Sequence, residues 1–108
     1  MLKAYDSYLE TLRTIRGYVA RIENRDADLA RQLRRAAASV ALNMAEGSGS
    51  HGGTRRQRYL SALGSTKEVT ACLDVAAALG YCEPSPGIRE ALHRTAATLI
   101  CLTGLRSN

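Results

Sequence analysis

The chain has 108 residues and a formal net charge of +5; 45% of its residues are hydrophobic, yet it has no Phe or Trp and only two prolines. That length sets a single domain able to bury roughly two thirds of its unfolded surface, and no β-branched run alternates with polar residues, which favours an all-α fold. Charges in MLKAYDSYLE fall where a signal peptide needs an apolar core, and the longest uncharged runs, 36–45 and 95–105, are about half the ~20 residues of a membrane span; the expectation is a cytoplasmic chain with no membrane partner.

The first predicted helix covers about residues 2–23, where Leu2, Tyr5, Leu9, Leu12, Ile15, Val19 and Ile22 recur every three or four residues on one face. Asp6, Glu10 and Arg13 lie on the solvated side. After a polar break, Asp26 is placed to cap a second helix over about 26–46, with Asp28 in its first turn. At roughly 100° per residue, Leu29, Leu33, Ala36, Val40 and Met44 form its inward seam, and Arg31, Arg34 and Arg35 point to water. A polar row, Gln32, Ser39, Asn43 and Glu46, runs beside the seam; half-buried amides and carboxylates need partners, so a neighbouring helix is expected to supply them. Gly47 is placed as the left-handed cap.

Thr54-Arg55-Arg56-Gln57 has the pattern of a capping box and opens a third helix over about 54–79. Its seam reads Tyr59, Leu63, Thr66, Thr70, Leu73 and Ala77. The other face carries Ser61, Gly64, Ser65 and Glu68, small enough for another helix to approach closely, and Gly64 implies a contact that needs its missing side chain. Gly80 ends this helix. Ser85 caps the fourth, over about 85–105, with Pro86 in the first turn. The segment TLICLTGL is apolar all round, which calls for cover from another copy of the chain. Four helices joined by short turns predict an antiparallel up-down-up-down four-helix bundle that self-associates.

The charge is regional. Residues 31–67 carry seven basic side chains against Glu46 alone, and six of the seven are Arg31, Arg34, Arg35, Arg55, Arg56 and Arg58. Planar guanidinium forks suit phosphate, so these six are the candidate contacts to RNA or DNA, through backbone or shape rather than bases, because Tyr59 is the only aromatic near them and points inward. The competing reading is ion pairing with acidic groups of the same or a neighbouring subunit; Glu46 and Glu68 are then partners at helix interfaces rather than an acid–base pair. Cys72, Cys82 and Cys101, with His51 and His93, have no metal-ligand spacing and fit a reducing compartment. The loop GSGSHGGT contains Gly47-x-Gly49-x-x-Gly52, but a helix precedes it where a dinucleotide fingerprint needs a strand, and Gly53 stands where a phosphate-binding loop needs lysine. No catalytic, metal or cofactor site is expected.

QLRRAAASVALNMAEG and YLSALGSTKEVTACLDVAAALGY together resemble the four-helix-bundle proteins encoded by intervening sequences of bacterial 23S ribosomal RNA genes. Gln32, Arg35, Ser39, Asn43, Ala45, Glu46 and Gly47 match the helix-two signature; Ala62, Leu63, Gly64, Ser65, Glu68, Leu73, Leu79, Gly80 and Tyr81 match that of helix three. Thr70, where many relatives carry a second acidic residue, and Leu42, at a position often small, depart from it. The resemblance implies a closed ring, a pentamer, with a nucleic-acid connection. Distant relatives serve reverse transcriptases of diversity-generating retroelements, which implies a nucleic-acid-processing protein as a further partner. It brings no catalytic residues.

Overall fold

A computed structural model describes residues 3–104, which form four helices: α1 (Lys3–Glu23), α2 (Ala27–Ser48), α3 (Gly52–Ala78) and α4 (Pro86–Thr103). Each packs on its chain neighbours and α1 closes against α4, an antiparallel up-down-up-down bundle. At about 1.5 Å per residue α3 is roughly 40 Å long, so it alone runs the full 42 Å of the molecule's longest dimension.

Local chemistry sets most helix ends. The Asp26 carboxylate accepts from the Leu29 amide at 3.0 Å, and the Ser85 hydroxyl accepts from the Ile88 amide at 3.2 Å. Gly80, at φ +77°, closes α3 in a Schellman pattern: its amide donates to the Ala77 carbonyl and that of Tyr81 to Ala76. Between α2 and α3 the structure departs from the sequence reading. Gly47 is not a cap; it is a buried residue inside α2, which runs on to Ser48. Nor does Thr54 cap α3. That helix starts two residues earlier, because Gly52 at φ +56° reverses the chain, and His51 occupies the cap position without a side-chain bond.

Gly47 is needed for packing instead. A Cβ there would lie 2.5 Å from Cε1 of Tyr59, whose ring is only 2% exposed. Gly64, by contrast, would meet nothing within 4 Å if it carried a side chain, so the close contact expected for it does not occur within the chain. The approach of α2 and α3 is made one position along, where the hydroxyls of Ser39 and Ser65 lie 2.8 Å apart.

The α2 seam of Leu29, Leu33, Ala36, Val40 and Met44 is buried as its periodicity implies. In α1 the inward face is turned: Tyr8, Thr11, Ile15, Tyr18, Val19 and Ile22 are buried, whereas Tyr5, Leu9 and Leu12 are half-buried. Two tyrosines go inside because their hydroxyls find partners there. That of Tyr8 donates to the Ala37 carbonyl at 2.7 Å, and that of Tyr18 accepts from the Ser85 amide at 2.9 Å, tying α1 to the start of α4. In α3, Tyr59, Ala62, Leu63, Thr66, Val69, Cys72, Leu73 and Ala76 are buried; Thr70 and Ala77 are only half so.

Two expectations follow. Gly47→Ala forces the Tyr59 ring aside and lowers stability by about 1–2 kcal/mol despite the better helix propensity of alanine, whereas Gly17→Ala, with open space around it, raises stability by roughly 0.5–1 kcal/mol; urea unfolding of the two variants checks the opposite signs. Burial pushes the Tyr8 hydroxyl well above its ordinary 10.0, so its contribution is intact below that pH and declines above it, as the unfolded chain ionises and the folded chain does not. Stability of the wild type therefore falls between about pH 9 and 11 by more than that of Tyr8→Phe, read from unfolding midpoints across that range.

Candidate nucleic-acid interface

The antiparallel path brings the start of α3 and the ends of α2 and α4 to one end of the bundle. There the last carbonyls of α2 lack helical partners. Side chains supply them: the hydroxyls of Ser48 and Ser50 donate to Ala45 and Glu46, and Nε of Arg55 donates to Gly47 at 3.2 Å and to Ser50 at 2.9 Å. Nε of Arg56 donates across the bundle to the Thr103 carbonyl at the end of α4, at 3.0 Å. Nε of Arg58 lies 3.0 Å from a Glu46 oxygen. Cations at helix C-termini complement the negative end of the macrodipole, so Arg55 and Arg56 each close a helix end.

All three remain exposed. For Arg55 and Arg56 the anchoring atom is Nε, so the bonds that fix these side chains do not use their Nη groups. These are forks held at the base, ready for an anion without much further loss of side-chain freedom.

Arg31, Arg34 and Arg35 do not join them. They lie 13–17 residues before the end of α2, roughly 20–26 Å along the helix axis. The stretch of sequence that looked like one basic patch is two. Arg31 pairs with Asp28 in its own helix. Arg34 sits on the α1 side of α2, beside Arg13 and Arg16; Arg35 sits on the α3 side, in a polar groove with Gln32, Ser39, Ser65 and Glu68. Among the described residues Arg34, Arg35 and Glu68 make no ion pair. Of the polar row, Ser39 and Glu46 reach α3, through Ser65 and Arg58 respectively. Asn43 donates back to the Ser39 carbonyl and hydroxyl, and Gln32 to Asp28, both within α2.

Chemistry of other kinds is not assembled among the described residues. No group of three or more metal-ligating side chains lies together among the described residues. His51 is exposed, and burial pushes the thiols of Cys72 and Cys82 up, away from the thiolate form. The glycine loop joins two helices, so neither nucleotide-binding motif has its strand. No helix among the described residues is long and apolar enough to cross a membrane.

Fold and site together define a small antiparallel helical bundle with a cationic end. The chain belongs to the 23S rRNA-intervening sequence protein family, which matches it over residues 2–99. A similar solved structure is the crystal structure of a protein with unknown function from the S23 ribosomal protein family of Bacteroides thetaiotaomicron VPI-5482. It is 17% identical, covers 93% of this chain and 97% of its own, and superposes with a TM-score of 0.82; at that identity the likeness is one of fold. No curated protein matches the chain. Neither the family's description nor the neighbour's names an enzymatic activity.

The cap role of Arg56 is separable from its charge. Arg56→Lys keeps the charge, loses the fixed Nε bond, and costs about 1 kcal/mol with faster amide exchange in the last turn of α4. Arg34→Lys, where no bond is lost, changes stability by less than about 0.5 kcal/mol.

Proposed function

We propose that the protein is a non-enzymatic bundle that self-assembles into a ring, a pentamer by family resemblance, and binds the backbone of RNA or DNA through the arginines at its hinge end. The observation that carries this is the anchoring of Arg55 and Arg56 by Nε, with Arg58 beside them, which holds several guanidinium forks outward at one end of the bundle. The amides that open α3 point towards the same end and add to its attraction for phosphate. Repeated around a ring, that end would become a cationic rim. The second cluster, Arg31 and Arg35, lies about seven phosphate steps of a duplex away, so one bound segment would reach both.

A purely structural or protein-scaffolding oligomer is the second reading. It is favoured by the same bonds seen from the other side: Arg55, Arg56 and Arg58 already have internal acceptors, and Glu46 offsets part of their charge. A nucleic-acid-processing protein, the further partner that the family resemblance implies, is compatible with either reading.

Fluorescence anisotropy with labelled generic RNA and DNA separates them. Under the first reading affinity falls as salt rises, with a log–log slope of about −2 to −3 per protomer for three phosphates neutralised, and joint substitution of Arg55, Arg56 and Arg58 by Glu abolishes binding while helix content persists. No binding by the wild type, together with loss of the oligomer in the triple variant, establishes the scaffold reading instead.

A further inference from the structure

Two surfaces outside the hinge end are unaccounted for. Between α1 and α2 lies an open groove of about 450 Å3. Its floor is apolar, with Leu9, Leu12, Val19 and Ala38, and it exists because the α1 core is turned towards Tyr8 and Tyr18, leaving Leu9 and Leu12 half-covered. Arg13, Arg16 and Arg34 form its rim; Arg13 meets Glu10, while Arg16 and Arg34 make no ion pair among the described residues. Leu42, one turn beyond Ala38, is 63% exposed and extends the apolar surface along α2.

The second surface is the outer side of α3. Ser61, Gly64, Glu68, Ala71 and Val75 recur at spacings of three and four, continuing to Leu79, which is the pattern of a helix seam rather than of a solvated face. Val75 is 45% exposed and Leu79 55%. Glu68 is an exposed carboxylate without an ion pair among the described residues.

We propose that these surfaces are the two halves of one interface: the outer ridge of α3 in one copy seats in the α1–α2 groove of the next. This rests on the self-assembly reading and names its contacts. The occupant is a second copy because the chain itself carries what the groove lacks. The floor needs apolar side chains, and Val75 and Leu79 are two of the large ones left exposed. The rim needs an acid, and the ridge holds Glu68 unpaired. Lengths agree as well: Leu9 to Val19 spans roughly 15 Å of helix, and Glu68 to Leu79 roughly 17 Å. Gly64 and Ala71 let the ridge approach without bulk, which gives Gly64 the close contact that it lacks inside the monomer.

The two surfaces lie on different sides of the bundle, since α3 packs on α2 and α4 and is diagonal to α1. They are therefore not self-complementary. Each copy engages one neighbour by its groove and another by its ridge, a heterologous contact, the kind from which a ring is built when the rotation between copies closes.

The test is light scattering on the wild type and two variants. Ala38→Arg fills the groove and leaves the ridge intact; Val75→Arg with Leu79→Arg spoils the ridge and leaves the groove. Each variant alone is expected to be a folded monomer. Mixed together they are expected to form a one-to-one complex and nothing larger, because one sound groove meets one sound ridge. Arg16→Glu with Arg34→Glu provides a second groove variant should Ala38→Arg unfold. A wild type that is monomeric overturns the self-assembly reading and this one with it. An oligomeric wild type whose variants stay oligomeric, or whose monomeric variants fail to pair, overturns only the assignment of these surfaces.

Discussion

The close approach of α2 and α3 is the constraint on which the rest of the molecule depends. With no Phe or Trp, the core is filled by Ala, Val, Leu and Ile around buried tyrosines, and interiors pack at crystal-like density only if their surfaces meet. Small side chains let the two backbones draw together. Ser39 and Ser65 touch at 2.8 Å midway, and Gly47 lies flat against the Tyr59 ring near the turn. Drawing the helices so close leaves three residues, 49–51, to reverse the chain, and Gly52 takes the left-handed conformation that this requires.

The end of α2, like any helix end, leaves carbonyls outside the helical ladder, and so tight a reversal sets the next turn of sequence directly above them. Arg55 answers by bonding the Gly47 and Ser50 carbonyls, and Arg56 does the same for α4 at Thr103. The cationic end is thus a by-product of capping two helices with guanidinium groups. The bond that closes a helix also holds the fork still, which under the nucleic-acid reading proposed above lowers the entropic cost of meeting a phosphate.

The same packing leaves its mark outside. Two tyrosines satisfied inside the bundle turn α1 and lift Leu9 and Leu12 partly out of the core, so the α1–α2 seam stays open under a rim of arginines. On α3, the longest helix, only one side is covered by α2 and α4. A four-helix bundle of this size buries every helix on one side only, so Val75 and Leu79 of α3 stay exposed.

Much of this was legible in the sequence. The four helices, their antiparallel order, the buried α2 seam and the stops at Asp26, Gly80 and Ser85 follow from signals within a few residues of each other, because caps and periodicity act through neighbours one turn away. The rest needed partners distant in sequence. Gly47 reads as a cap until Tyr59, twelve residues later, is folded against it. The α1 face reads as centred on Leu9 and Leu12 until Ala37 and Ser85 take up the tyrosine hydroxyls. Six arginines read as one patch until helical rise separates them by roughly 20 Å or more and α1 and α3 draw Arg34 and Arg35 to opposite sides of α2. The sequence by itself determined which residues make each helix and roughly where each one ends. Tertiary structure alone decided which stripe faces inward and which charges stand together, because those depend on where another helix lies, and no window of one helix contains that information.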